Sequence, residues 1–237
     1  GSDPPTGLGL IVALLGLIVS SSLQAGTNTW TSVGPDGGIM YKVVFHPAEE
    51  NTVYVISLSG VYRSTDGGHN WSLIKAADAE SPDRDLEVDP VQPSRMYLAA
   101  SAQGRVLASN DSGMTFAPLS GYPNNIGPAE LEISPDGLTL YVTSGAKVYP
   151  STNRGITWTQ RAQAGAGGVN REIQQLLIDP ADPNTLYALA NTSDKERGIY
   201  LSEDGADSWE MVESTTHHIF QLAASGPCPA IRLCKLI

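Results

Sequence analysis

A chain of short antiparallel strands, four to a sheet and repeated along its length, is what these 237 residues predict, on three observations. Four octapeptides share the pattern S-x-D-x-G-x-x-W: STDGGHNW at 64–71, SNDSGMTF at 109–116, STNRGITW at 151–158 and SEDGADSW at 202–209. Ahead of each stands a proline turn and a Tyr-bearing strand, in HPAEENTVYVIS, DPVQPSRMYLAA, SPDGLTLYVTS and DPADPNTLYALA. The first serines are 45, 42 and 51 residues apart, and Pro47, Pro90, Pro135 and Pro180 are 43, 45 and 45 apart, so two separate landmarks keep one period. Third, 24 Gly and 16 Pro with only 16% charged residues supply frequent turns and leave little material for long helices. Four strands per period of this length is the repeat of a β-propeller blade.

Taken in chain order, residues 7–19 read GLGLIVALLGLIV and are followed by SSSLQA, an apolar stretch expected to form an N-terminal hydrophobic helix. Its length suits a secretory signal peptide or a membrane anchor through residues 7–25, and both place the repeats outside the cytoplasm. The expected division is therefore 1–25 signal or anchor, 26–225 propeller repeats and 226–237 an atypical tail. In the first repeat the strands are expected at 40–45, 53–58, 60–65 and 71–74, each rich in Val, Ile, Tyr or Trp and bounded by Pro, Gly, Asn or Asp. A small twisted sheet has two faces to cover, and only a neighbouring blade on each side covers both. Four complete blades end near Ser214. Residues 27–34 read as the last strand of a blade and 217–225 as the first strand of another. The ring then closes imperfectly, is completed by a partner, or belongs to a propeller with more blades. An open blade edge invites association, so an incomplete ring is expected to need an oligomer or a partner.

Within each octapeptide the residue types suit a tight turn. The carboxylates of Asp66, Asp111 and Asp204 accept from backbone N–H groups, and Asn153 keeps an acceptor in the third copy without the charge. Ser64, Ser109, Ser151 and Ser202 open the turns, and Gly68, Gly113, Gly155 and Gly205 supply positive φ. Trp71, Trp158 and Trp209, with Phe116 in the second copy, offer a large ring to fill the gap between blades. Ala206 replaces the usual glycine in the fourth copy and is expected to loosen that turn.

These octapeptides resemble the Asp box, or BNR repeat, of sialidases, xyloglucanases, sortilin-type receptors and photosystem II assembly-factor propellers, over about residues 30–225. The resemblance implies a propeller with each box between the third and fourth strands of a blade, at the periphery and away from any active site. It implies no single function. Sialidases of this type add an FRIP motif, absent here, and an arginine cluster, whereas Arg63, Arg95, Arg105, Arg154, Arg161 and Arg171 read as solvated rim charges. Xyloglucanases of this type carry an acidic residue just after the second strand of the first blade, where this chain has Ser57 and Ser59.

Candidate chemistry is sparse. Net charge is −11 with no basic run, which excludes attraction to nucleic acid as a driving force. Glu87 and Glu132 occupy the same place on the first strand of their repeats, the strand that lines a propeller's central channel, with Lys42 and Gln175 near the equivalent places elsewhere. A glycosidase needs two carboxyl groups about 5–10 Å apart, for which these and Asp36 are candidates, but the leading reading of Glu87 and Glu132 is polar lining of a wet channel. Adjacent His217 and His218 point to opposite faces of a strand and make a poor metal site, so no metal and no cofactor is expected. Cys228 and Cys234 both lie in the tail, so the body is held by packing and not by disulfides. The leading expectation is a noncatalytic extracytoplasmic propeller that binds a protein or glycan. The alternatives are a glycoside hydrolase of the xyloglucanase type and a membrane-tethered subunit of a larger complex.

Overall fold

The computed structural model describes residues 34–35, 38–78, 83–100, 104–123, 125–161, 172–191 and 197–215. The expected N-terminal helix with its signal or anchor (1–25), the flanking strands at 27–33 and 217–225, the tail, Asp36, Arg171, the His pair and both cysteines lie outside these residues. Among the described residues no helix is long and apolar enough to cross a membrane.

Blade 1 consists of β1 (Met40–Phe45), β2 (Val53–Ser57), β3 (Gly60–Ser64) and β4 (Ser72–Ala76), hydrogen-bonded in chain order. Blade 2 is built from β5 (Asp85–Val88), β6 (Met96–Ala100), β7 (Arg105–Ser109) and β8 (Ala117–Pro118). Blade 3 contains β9 (Leu131–Ile133), β10 (Leu140–Ser144) and β11 (Lys147–Ser151), and blade 4 contains β12 (Ile173–Asp179), β13 (Asp182–Asn191), β14 (Arg197–Ser202) and β15 (Glu210–Thr215). Every pairing is antiparallel. The all-β expectation of four-stranded antiparallel blades therefore holds, with blade 3 the irregular member. Its fourth place is taken by residues 159–161, where Thr159 N–H donates to the Pro150 carbonyl at 3.0 Å and Arg161 N–H to that of Val148 at 2.9 Å. Pro150 has no N–H to return the first bond, which keeps this edge from becoming a regular strand.

The octapeptide turns join the third and fourth places of the blades. In each, the buried serine hydroxyl both donates and accepts. Ser64 Oγ donates to Asp66 Oδ1 at 2.8 Å and accepts from Gly68 N–H at 2.8 Å; Ser109, Ser151 and Ser202 do the same with Asp111 and Gly113, Asn153 and Gly155, and Asp204 and Ala206. The Oδ1 of the aspartate, or of Asn153 in the third turn, then accepts from the backbone N–H four residues on, at 2.9 Å in all four turns. Side-chain and backbone donors at Asn70, with Ser64, hold the Asp66 carboxyl well below the usual range; those at Thr115 hold Asp111 down at about 2, and those at Ser208 lower Asp204.

The turn containing Ala206 is not looser. Ala206 adopts φ +73°, in line with +92°, +84° and +81° for Gly68, Gly113 and Gly155, and keeps the same bond to its serine at 2.9 Å. The residue expected to supply that conformation, Gly205, stands one place earlier, alongside Gly67, Ser112 and Arg154, all also at positive φ. A left-handed alanine costs on the order of 1 kcal/mol, and the hydrogen-bonded serine and aspartate hold it there.

Three apolar layers lie between successive blades. Tyr54, Ile56 and Val61 pack on Leu86, Val88, Met96 and Leu98; Tyr97 and Val106 on Leu131, Leu140 and Val142; Tyr141 and Val148 on Ile173, Leu176, Leu186 and Tyr200. The turn aromatics Phe116, Trp158 and Trp209 each join the layer facing the preceding blade. Tyr141 adds a directed link, its hydroxyl donating to the Pro183 carbonyl of blade 4 at 2.9 Å. Full burial of each large apolar side chain contributes about 1.5–3 kcal/mol, so the layers outweigh any single turn in holding blades together.

The turns fix strand-to-strand geometry within a blade, and this has a direct test. Replacing Ser64 or Ser151 with Ala leaves a buried glycine N–H unsatisfied and should lower unfolding stability by about 1–3 kcal/mol in denaturant titration. A loss near zero for both variants would show that the turns do not support the blades.

Candidate functional site

The first strand of each blade is the innermost, and β1, β5, β9 and β12 stand side by side in that order. Register places two sets of side chains on equivalent levels. Lys42, Asp85 and Gln175 lie opposite Ile56, Ala99 and Leu189 on their second strands, and Glu130 lies opposite Thr143, bonded both ways through backbone and hydroxyl. Two residues further on, Glu87 and Glu132 lie opposite Tyr97 and Tyr141, where blades 1 and 4 have Val44 and Leu177. The level shared by Glu87 and Glu132 is the one the sequence indicated. Lys42 and Gln175 belong to the adjacent level, with Asp85 and Glu130.

Asp85 ties three blades together. Its carboxylate, with the side chain only 2% exposed, receives the Lys42 ammonium from blade 1, the Leu86 N–H of its own strand at 2.7 Å and the Leu131 N–H of blade 3 at 2.8 Å. Lys42 Nζ also donates to Glu87 Oε1 at 2.6 Å. Burial alone would lower the Lys42 pKa, but the two carboxylates beside it outweigh burial and hold it well above normal. Burial pushes Asp85 upward against the pull of Lys42 and the two backbone donors.

Among the described residues the remaining carboxyls share one cation, Lys42. Burial raises Glu87 to about 7 despite Lys42, and burial followed by the Asp85 charge raises Glu130 to about 8. Glu132 is raised well above its ordinary value by burial and by Glu87. The acids are therefore pushed unequally: Lys42 draws Asp85 and Glu87 toward the ionised form against their burial, while burial and neighbouring acids push Glu130 and Glu132 toward the neutral form. Such a division between ionised and neutral acids is what general acid–base chemistry requires.

The other singled-out residues do not converge here. The octapeptide turns lie at the opposite end of the strands, beside the loops joining first and second strands: Gly67 N–H donates to the Asn51 carbonyl, Ser112 N–H to that of Ser94, Arg154 N–H to that of Leu138 and Gly205 N–H to that of Asn184. Ser57 Oγ donates to the Gly60 carbonyl at 3.2 Å within its hairpin, and Ser59 Oγ lies 3.0 Å from the Tyr62 hydroxyl. These are hydroxyls fixing a turn, with no carboxylate in that place. The arginines are dispersed: Arg63 near Glu49, Arg95 on Asp89 and Arg161 on Asp207, which leaves no carboxylate-binding cluster among the described residues. No group of three or more His, Cys, Asp or Glu among the described residues is placed to hold a metal ion.

No family model matches the chain. A probable oligoxyloglucan-reducing end-specific xyloglucanase of Neosartorya fischeri is 30% identical over 205 residues, covering 74% of this chain and 24% of that protein. A xyloglucanase of Acetivibrio thermocellus is 27% identical over an alignment of 249 residues, 84% of this chain and 29% of that protein. Among solved structures, an ancestral GH74 enzyme matches with a TM-score of 0.61 at 20% identity, over 78% of this chain and 25% of its own. The GH74 xyloglucanase of Xanthomonas campestris matches at 0.58 and 18%, over 72% and 29%. The solved structures establish the propeller-type fold, and the chain spans about a quarter of the length of the first curated relatives it matches. The expectation of a noncatalytic binding module is overturned by these relatives, which are enzymes. That expectation rested on the structural repeats, on the absent FRIP motif and on Ser57 and Ser59 standing where an acid is implied, none of which tests the inner-strand carboxyls.

The raised carboxyls have a consequence for stability. Glu87 and Glu130 bind protons more tightly folded than unfolded, so their contribution is complete below about pH 4 and is lost as pH rises through about 7 to 8. Melting temperature should therefore fall between pH 5 and pH 9, and Glu130→Gln should flatten the fall. A melting temperature that climbs over that range in the native chain, and identically in the variant, would contradict the assignment.

Proposed function

We propose that this chain is part of a glycoside hydrolase of the xyloglucanase type, acting outside the cytoplasm on a β-glucan polysaccharide. The observation that carries the reading is the 30% identity to a xyloglucanase over 205 residues. The four octapeptide turns support placing the chain among Asp-box propellers. A polysaccharide is too large to enter a cell intact, which supports an extracytoplasmic site of action.

Hydrolysis of a glycosidic bond needs one carboxyl to protonate the leaving oxygen and another, ionised, to act as base or nucleophile. The blade 3 carboxyls Glu130 and Glu132 suit the first role, because burial favours their neutral, proton-donating form. Glu87, held by Lys42 at 2.6 Å, suits the second. The hairpin position where the resemblance implies an acid is occupied by Ser57 and Ser59, so the channel carboxyls are the acids this chain offers.

The test is reducing-sugar release from xyloglucan by the whole protein, with Glu87→Gln and Glu132→Gln beside it. Release that falls at least a hundredfold in either variant, with melting temperature preserved, supports the proposal. Absence of release from xyloglucan and other β-glucans would overturn the hydrolase reading, and undiminished release in both variants would remove the channel carboxyls from the chemistry.

A further inference from the structure

Among the described residues Glu87 has a single hydrogen-bond donor, and that donor belongs to another blade. On β5, Glu87 lies opposite Tyr97, at the level where β1 carries Val44 and β12 carries Leu177, so neither strand offers it a polar group at its own level. The donor comes from one level away. Lys42, opposite Ile56, crosses from blade 1 to blade 2 and places Nζ 2.6 Å from Glu87 Oε1.

Lys42 keeps that position because Asp85 holds it. Oδ1 of Asp85 receives the ammonium while also accepting from Leu86 N–H at 2.7 Å, and Oδ2 accepts from Leu131 N–H at 2.8 Å, so the carboxylate is fixed on both sides. A lysine ammonium on its flexible stem otherwise turns to water, and the Lys42 side chain, 30% exposed, has water within reach. With one N–H committed to Asp85, a second is delivered to Glu87. The charged groups facing Glu87 are Lys42 on β1, Asp85 on its own strand, and Glu130 and Glu132 on β9. At the level of Lys42, β12 contributes Gln175, which is uncharged. Three acids thus oppose ionisation of Glu87, and one ammonium favours it.

We propose that Lys42 is a positioning residue for glycoside hydrolysis by this chain, acting through Glu87, whose carboxylate it holds in place as the base or nucleophile. This rests on the hydrolase reading and adds to it the residue that sets which acid is ionised. Removing the ammonium leaves Glu87 among acids alone, so Glu87 holds its proton to higher pH and its ionised fraction falls most in acid. The acid limb of kcat/KM, which reports the essential base of the free enzyme, then moves to higher pH. A residue that only supported the fold would lower activity by the same factor at every pH.

The test is kcat/KM for xyloglucan between pH 5 and pH 9, measured on the whole protein and on its Lys42→Met and Lys42→Arg variants. Lys42→Met is expected to move the acid limb up by about one pH unit or more, a loss of about tenfold at the acid end that shrinks toward pH 9. Lys42→Arg keeps a cation beside Glu87 and should leave the limb within about half a unit of the native one. Should Lys42→Met leave Asp85 unneutralised and unfold the chain, which circular dichroism reports, Lys42→Arg decides alone, and a limb displaced by about one unit overturns the proposal. An equal loss at every pH in Lys42→Met, an unmoved limb, or a limb moved as far by Lys42→Arg as by Lys42→Met would also overturn it. Release by the native chain with any of these results leaves the hydrolase reading standing and removes Lys42 from it, whereas no release at any pH removes both.

Discussion

The contact on which the inner architecture rests is the carboxylate of Asp85. It is almost fully buried and receives one donor from each of three consecutive blades: Lys42, Leu86 N–H and Leu131 N–H. A carboxylate in that environment is costly to bury alone and tolerable only with such donors. Once it is there, the lysine that neutralises it is committed to blades 1 and 2, and among the described residues no other cation is paired with the acids of blade 3. The raised carboxyls follow first from their burial near the axis, and the Lys42–Asp85 contact adds to the difference by drawing that ammonium to blades 1 and 2.

Away from the axis the construction is different in kind. The layers between blades are apolar and non-directional, built from the alternating residues of central strands such as Val53–Ser57 and Met96–Ala100. The octapeptide turns are directional and local, each a serine paired with an aspartate, or with Asn153 in the third, closing its own backbone. The two ends of the strands are thereby separated, with the turns supporting the blades at one end and the titratable side chains gathered near the axis. A carboxyl in an octapeptide turn is held low by its own turn, and an inner-strand carboxyl is held high by burial, so the same chemical group does opposite work in the two places.

Much of the fold was legible because the period is marked twice, by the serine–acid turns and by the proline–tyrosine segments. Strand ends in the first blade agree with the sequence reading to within one or two residues. Glu87 and Glu132 were found by their common place before a repeated tyrosine strand. Asp85 and Glu130 were missed, although each stands two residues before one of those glutamates, in DLE and ELE, where period-two spacing puts both acids on one side of the strand. Lys42 as their shared cation was not legible, because the pairing depends on side-by-side blades 43 and 45 residues apart in sequence. The left-handed Ala206 was misjudged for a related reason: residue preference suggested slack, and the hydrogen bonds around it decide otherwise. Chemistry was the least legible part, since repeats that hold sheets together are the same whether or not the sheets carry an active site.

The central claim is that blade joining sets the protonation of the channel acids, and its most direct test is a carboxyl carbon-13 NMR titration of the native chain and Lys42→Met. Midpoints near 7 for Glu87 and near 8 for Glu130 are expected in the native chain, with Glu87 moving higher when the lysine charge is removed. Midpoints in the ordinary glutamate range, indifferent to Lys42→Met, would contradict it.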